Sequence, residues 1–286
     1  YNSALGVFHN ANFYTISASY GKPGMTRKIV DSYLMADGSR FTDKAGWETM
    51  EFKQQCSNRD PRLAQTIRTP GYTRIGATTK LAPDLANSIT GYHVVKFVTG
   101  TAQDAYNKSF NDLPIFRSAE VYLNFAEAAY RAYGNADQQA PATDVEETVT
   151  DDEDNETTST VTYGVAMSAR DAVNAVRARV GMPGVTDNGD AFWLRLCNER
   201  RVELAFEEHR FFDVRRWTKP DGDLSKTDKR VTGMRIELSD GQKVYSRFSF
   251  DRQSYTSKYL KYPISLDEVR KMLSLTGENW QNDGWN

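Results

Sequence analysis

The segment NERRVELAFEEHRFFDVRRW, residues 198–217, is the part of the sequence that decides the fold. On a helical wheel its apolar side chains gather on one arc, while most of its glutamates and arginines take the opposite side. Arg201 and Glu208 are exceptions, because both fall inside the apolar arc. An unpaired buried charge costs several kcal/mol. We therefore predict one buried scaffold helix in which Arg201 and Glu208 form structural ion pairs, with each other or with third groups.

Three carboxylates of this segment, Glu203, Glu207 and Glu208, offer an alternative interpretation as the acid and base of a glycosidase. Such a pair must face each other across an open cleft at about 5–10 Å. Neighbouring carboxylates on one helix diverge instead, and this helix is predicted to be packed between others. We therefore interpret them as structural and predict no catalytic residue.

The composition limits the classes of function. The chain has 286 residues and a formal net charge of −2, without the basic excess typical of a nucleic-acid-binding protein. No stretch reaches the ~20 apolar residues needed to cross a bilayer. Histidines and cysteines are few and dispersed, and no phosphate- or dinucleotide-binding motif is present, so we predict neither a metal site nor a cofactor. The 15 Tyr, 14 Phe and 5 Trp can fill a core or form a surface on which ligands stack.

Two further helices are predicted upstream of the opening segment. Residues 115–133 are apolar around most of a helical wheel, apart from one narrow polar stripe, which is typical of a helix packed on several sides. Ser168 and Asp171 have the spacing of a capping box at the start of the second helix. Without the insert between them, the two helices form a hairpin similar to a tetratricopeptide unit.

The insert, residues 137–162, is rich in Asp, Glu and Thr. This composition favours a solvated and mobile loop. The acidic run at 151–154 also allows a calcium site, but it lacks the alternating oxygen ligands and central glycine of an EF-hand loop. We therefore favour a loop over a metal site.

The regions on either side of the helical scaffold, residues 113–217, are predicted to be less regular. Residues 1–112 are rich in loops and are expected to form the ligand side of the protein. In residues 218–286, Asp240-Gly241 lies between two alternating runs and is the strongest signal for a β-hairpin in the chain. We expect the three regions to form one domain.

Six segments match, in order, the motifs of one known family. They are IVDSYLMADGSRF (29–41), NRDPRL (58–63), LPIFRSAEVYLNFAEAAY (113–130), SARDAVNAVRARVGMP (168–183), the opening segment (198–217) and YLKYPISLDEV (259–269). One such segment alone is a weak match, but six in family order cover nearly the whole chain. The sequence therefore resembles the C-terminal half of a SusD/RagB-type nutrient-binding protein.

This resemblance implies a fold and a function. The implied fold is mainly α-helical, with tetratricopeptide-like hairpins on one side, an irregular loop-rich binding side and a small β-hairpin. The implied function is the capture of oligosaccharides, such as those of a starch-like polysaccharide, without an enzymatic step. The resemblance also implies an outward-facing outer-membrane lipoprotein that passes its cargo to a SusC-like TonB-dependent transporter. The lipidated cysteine would belong to the N-terminal half of the same protein, a further partner of this chain.

The ligand-binding residues are expected among loop aromatics, because a pyranose presents an apolar CH face that stacks on Trp or Tyr. The candidates are Tyr14, Tyr20 and Trp47, with Phe13 and His9 behind them. For each of them, packing within a loop is the alternative. The cargo also remains open, because a RagB-like peptide-capture protein would use the same scaffold with apolar side-chain pockets. A third interpretation is a helical-repeat scaffold that binds a protein partner and has no small-ligand pocket.

Overall fold

A computed structural model describes residues 8–17, 20–85, 88–152, 154–163, 166–217, 230–251 and 256–285. Within these residues the structure has nine α-helices: α1 (Ala11–Ile16), α2 (Arg27–Ser32), α3 (Phe52–Gln55), α4 (Pro61–Thr66), α5 (Ser118–Tyr133), α6 (Ala169–Ala178), α7 (Gly189–Glu203), α8 (His209–Trp217) and α9 (Leu266–Thr276). The described strands form three antiparallel pairs: β1 (Gln139–Ala140) with β4 (Met167–Ser168), β2 (Thr143–Thr150) with β3 (Glu156–Tyr163), and β5 (Arg230–Ser239) with β6 (Gln242–Asp251). The predicted mainly helical class is confirmed. In this part of the chain, no helix combines the length and the apolar character needed to span a membrane.

Helices α5, α6 and α7 enclose the first hydrophobic core. Leu123 and Ala126 of α5, Val173 of α6, and Phe192 and Leu196 of α7 are all fully buried there. Small side chains on the facing surfaces of α5 and α6 let the two helices pack closely. This core makes the three helices one rigid support for the loops before them in the chain.

The starts of α5 and α6 test two predictions. α6 begins at the predicted capping box, because the Asp171 N–H donates to Ser168 Oγ and the Ser168 N–H donates to Asp171 Oδ2, both at 3.1 Å. α5 begins at Ser118 rather than at Ile115, which was wrongly placed inside the helix. Ile115 and Phe116 are 83% and 80% exposed, so neither is buried by the scaffold.

The single scaffold helix predicted for the opening segment, residues 198–217, is interrupted. α7 ends and α8 begins around a turn in which Phe206 and Glu208 have φ of 62° and 66°. Such a left-handed conformation costs of order 1 kcal/mol or more at a residue other than glycine. Lys96 helps to offset this cost, since its ammonium donates to the turn carbonyl of Ala205 at 2.7 Å. Because Lys96 is distant in sequence, the periodicity of the segment could not reveal the break.

The acidic insert, residues 137–162, is solvent-exposed as predicted, but it contains a β-hairpin rather than the predicted loop. β2 and β3 pair along their whole length, and Thr148 Oγ1 lies 2.8 Å from Thr158 Oγ1 across the strands. Threonine and valine favour extended backbone, and cross-strand threonine pairs stabilise it further. The acidic composition obscured this pattern. The described side chains of both strands are almost all exposed, so the insert adds little to the core.

A second hydrophobic core lies between α2, α4, the end of α7 and the β5–β6 hairpin. Its fully buried members are Met25, Val30, Tyr33, Ile67 and Tyr92. The hairpin turns at Asp240-Gly241 as predicted, with φ of 52° and 74°. Two successive left-handed residues are what a type I′ hairpin turn requires. This hairpin and α2 flank one of the two regions considered next.

Candidate functional site

Three of the predicted ligand-binding aromatics lie together around α1. The ring centroid of Phe13 is 4.7 Å from that of Tyr20 and 5.5 Å from those of Tyr14 and Tyr106. Tyr14 and Tyr20 are each 47% exposed, and Tyr106 is 58% exposed. We call Phe13, Tyr14, Tyr20 and Tyr106 the aromatic patch. Clustered, exposed rings offer an apolar surface on which a flat ligand can stack, with hydroxyl groups at its edge.

A buried polar frame holds the patch in place. Asn12 of α1 is fully buried, and its Oδ1 accepts from the Thr99 N–H at 3.0 Å while its Nδ2 donates to Asp104 Oδ1 at 3.2 Å. Arg74 donates to the same Asp104 oxygen at 2.5 Å. These bonds tie α1 to the loop that carries Tyr106. The rings are therefore positioned before any ligand arrives, which lowers the entropic cost of binding.

His9 anchors the chain immediately before α1. Its Nδ1 accepts from the Ala11 N–H at 3.2 Å, so Nε2 carries the proton and donates it to the Asn111 carbonyl at 2.8 Å. Its backbone pairs with that of Ser109. Both ring nitrogens are used within the chain, and this geometry favours an anchoring role for His9 over the predicted ligand contact.

Trp47 is separated from the other candidates. Among the described residues its ring contacts none of the patch rings, and it instead lines a cavity of about 340 Å³ between α2, α7 and β6. Phe41 packs against it with centroids 6.2 Å apart, and the guanidinium carbons of Arg27 and Arg247 lie 5.5 and 5.7 Å from its ring centre. The predicted candidates therefore occupy two regions, the aromatic patch and the cavity around Trp47.

The cavity around Trp47 contains a carboxylate with an unusual environment. Burial raises the pKa of Asp31 to about 6, against the opposing attraction of Arg27 and Arg247. Neither carboxylate oxygen has a hydrogen-bond partner among the described residues. The closest cationic nitrogen, Arg27 Nε, is 3.6 Å away, which is too far for a hydrogen bond of ordinary strength.

The carboxylates of the opening segment are engaged with arginine and lysine. Glu203 accepts from Arg62 at 2.8 Å and from Arg117 at 2.6 Å, while Glu207 accepts from Arg117 at 2.6 Å and from Lys96 at 2.5 Å. Although burial opposes it, these hydrogen bonds lower the pKa of both carboxyl groups. A carboxylate held ionised by several cations is a poor general acid. This geometry supports the structural interpretation of these residues.

Arg201 and Glu208 lie on different elements. Arg201 of α7 donates to Ser32 Oγ at 3.1 Å, whereas Glu208 belongs to the turn before α8. They therefore do not face each other across two turns of one continuous helix, and their pairing stays a prediction. The buried scaffold pairs that the structure does show include Arg62–Asp60, Arg62–Glu199, Arg62–Glu203, Arg177–Glu199 and Arg200–Asp213.

Sequence reasoning missed two residues of these regions. Tyr106 met the criterion that selected Tyr14 and Tyr20, since it also lies in a loop rich in polar residues. Because it is about 90 residues away in sequence, its contact with Phe13 could not be predicted. Asp31 carried no comparable signal, because an acidic residue within a short helix is ordinary. In the described ranges, no group of His, Cys, Asp and Glu is arranged to hold a metal ion.

A helical scaffold whose buried charged groups form ion pairs, next to an exposed aromatic surface, is typical of a binding protein. The sequence profile of the SusD family matches residues 7–285, and the chain belongs to this family. Neither the curated proteins nor the solved structures include a match. The predicted resemblance is confirmed. Members of the family are nutrient-binding proteins associated with the outer membrane rather than enzymes.

Proposed function

We propose that this protein captures oligosaccharides, such as those of a starch-like polysaccharide, at the cell surface and passes them to a SusC-like TonB-dependent transporter. The observation that carries the proposal is the aromatic patch. Its three exposed tyrosines combine apolar faces for the CH face of a sugar with phenolic hydroxyls for its polar edge. The buried frame around Asn12 supports the proposal, because a rigid surface loses little entropy when it binds.

The helical side of the molecule serves this function as a support. We infer that α5 and α6 form a tetratricopeptide-like unit that braces α7 and the loop-rich side. We also infer that the protein is an outward-facing lipoprotein. Family membership supports these inferences, and the aromatic patch itself does not depend on them.

Isothermal titration calorimetry against a panel of oligosaccharides tests the proposal. We expect at least one glycan to bind, and the double substitution Tyr14→Ala/Tyr20→Ala to weaken that binding by about tenfold or more, since stacked aromatics dominate such interfaces. The matched control is Tyr122→Ala/Tyr133→Ala on α5, where the tyrosines are 38% and 46% exposed. The control should change affinity less than about twofold.

The same titrations separate the proposal from its competitors. Binding of peptides with no binding of any sugar would favour a RagB-like peptide-capture protein instead. Equal losses from the patch and the control variants would show that the patch is not the site. Turnover of a polysaccharide that a single carboxylate substitution abolishes would contradict a non-enzymatic role.

A further inference from the structure

The cavity around Trp47 has the size and the walls of a small-ligand site. Its volume of about 340 Å³ lies at the lower end of the range of ligand pockets in proteins, where one sugar unit is a suitable occupant. Trp47 provides a half-buried aromatic wall, and the apolar side chains of Leu34 and Leu194 complete it. Leu194 is 58% exposed, so the cavity opens to solvent at this side.

The charge of the cavity wall is mainly positive. Its cationic side chains are Lys28, Arg40, Arg195 and Arg247. Arg195 donates to Asp187 at 2.9 Å, and Arg247 lies 3.7 Å from Glu48. The side chain of Arg40, by contrast, is exposed, and its guanidinium forms no hydrogen bond or ion pair with any described residue. It is therefore available to an anionic group at the mouth of the cavity.

The single acidic residue of the wall lacks hydrogen-bond donors. The side chain of Asp31 is 7% exposed, and the described residues donate no hydrogen bond to its oxygens. A buried carboxylate normally accepts several hydrogen bonds, and one without them is costly. Both oxygens are also shielded from solvent, so Asp31 offers a ligand no acceptor and the cationic side chains dominate the accessible charge of the cavity.

We propose that this cavity binds an acidic sugar unit, whose carboxylate or sulfate pairs with Arg40 while its ring stacks on Trp47. The inference rests on the proposed glycan capture and adds a site and a charge class for the cargo. A neutral sugar would leave Arg40 unpaired. A small inorganic anion would leave the Trp47 wall empty.

Calorimetry on the protein, with three sets of probes, tests this inference. The probes are neutral oligosaccharides, uronate oligosaccharides such as trigalacturonate, and sulfated galactose oligosaccharides. We expect at least one acidic probe to bind about tenfold more tightly than its neutral counterpart, which is the scale of one charge-assisted hydrogen bond. The uronate and sulfate arms identify which acidic group is recognised.

The substitution Arg40→Gln should remove this preference, so that acidic and neutral probes bind with similar affinity. Lys44→Gln is the matched control, because Lys44 is also exposed, lies in the same loop and is not part of the cavity wall. Equal melting temperatures of the two variants would show that both are folded. The preference should also weaken as the NaCl concentration rises, since Arg40 is exposed.

Several outcomes would overturn the inference. Acidic probes that bind no better than neutral ones, or that bind independently of Arg40, would exclude the site. Oligoglutamate bound as tightly as trigalacturonate would exclude a requirement for the sugar ring. Neutral binding that depends on Tyr14 and Tyr20, without Arg40-dependent acidic binding, overturns this inference alone. Absence of binding to every glycan overturns the proposed function as well.

Discussion

The scaffold around α7 and the cavity around Trp47 both bury carboxylates, but the two regions treat them in opposite ways. Glu203 of α7 accepts hydrogen bonds from Arg62, Arg117 and Arg179. Asp31 in the cavity accepts none from the described residues. The scaffold is therefore electrostatically complete within the chain, whereas the cavity is not. This difference distinguishes a region in which buried charge is matched by hydrogen bonds from one in which a buried carboxylate lowers stability.

The largest effect is expected from opening the scaffold network. Arg62→Met would leave Glu199, Glu203 and Asp60 without their shared cation, and removing one partner of a buried pair costs about 3–5 kcal/mol. Urea unfolding measures the loss. Arg179→Met is the matched control, because Arg179 also donates to Glu203 but its side chain is 53% exposed.

The control should cost less than about 1 kcal/mol, as exposed ion pairs do. Equal losses from the two substitutions would show that burial does not set the strength of this network. The contrast between scaffold and cavity would then lose its basis.

A smaller effect of the opposite sign is expected in the cavity. The pKa of Asp31 is raised to about 6 from an ordinary value of 3.8, so the folded state holds the proton more tightly than the unfolded state. The associated stability is fully present below pH 3.8 and is lost as the pH rises towards 6. Asp31→Asn keeps the side chain neutral and should stabilise the protein by roughly 1–3 kcal/mol at pH 7.5.

The gain from Asp31→Asn should disappear near pH 3.5, close to the ordinary carboxyl pKa of 3.8. Thermal unfolding as a function of pH checks this. The charged groups that act on Asp31 are Arg27, Arg247, Arg59 and Glu48. Asp37→Asn is the control, since hydrogen bonds from Ser39 lower the pKa of Asp37 and the substitution should not stabilise. Destabilisation by Asp31→Asn at pH 7.5 would contradict a desolvated carboxylate that accepts no hydrogen bonds.

The smallest effect is expected from the acidic hairpin. Replacing residues 143–162 with a two-residue Asn-Gly turn removes side chains that are almost all exposed, and the β1–β4 pair at its base would still close the connection. Surface changes of this kind shift stability by about 0.5 kcal/mol or less. Melting temperature and glycan affinity should both stay near those of the unaltered protein. A marked loss of glycan affinity would give the hairpin a role in binding.

The scaffold was more predictable from sequence than the binding side because its determinants are local. In the scaffold, Ser168 and Asp171 are three positions apart, and outside it the correctly predicted Asp240-Gly241 turn is likewise formed by adjacent residues. Where a distant group intervened, prediction failed. The break before α8 is one example, since the ammonium that caps Ala205 belongs to Lys96.

The candidate site was predictable only in part, because its geometry depends on contacts between loops. The aromatic rule selected Phe13, Tyr14 and Tyr20, which do lie together. It could not place Tyr106 beside them, and it grouped Trp47 with residues that its ring does not contact. The residue types indicated aromatic stacking, but only the folded structure shows that the candidates lie in two separate regions.

Hydrogen–deuterium exchange with and without a saturating oligosaccharide tests most directly whether ligand binds at the loop-rich side and not at the helical scaffold. We expect bound ligand to slow exchange in the patch segments, residues 9–17 and 99–110, and to leave α5, α6 and α7 unchanged. Slower exchange in α5, α6 or α7, with no change in the patch segments or around Trp47, would contradict binding at the loop-rich side.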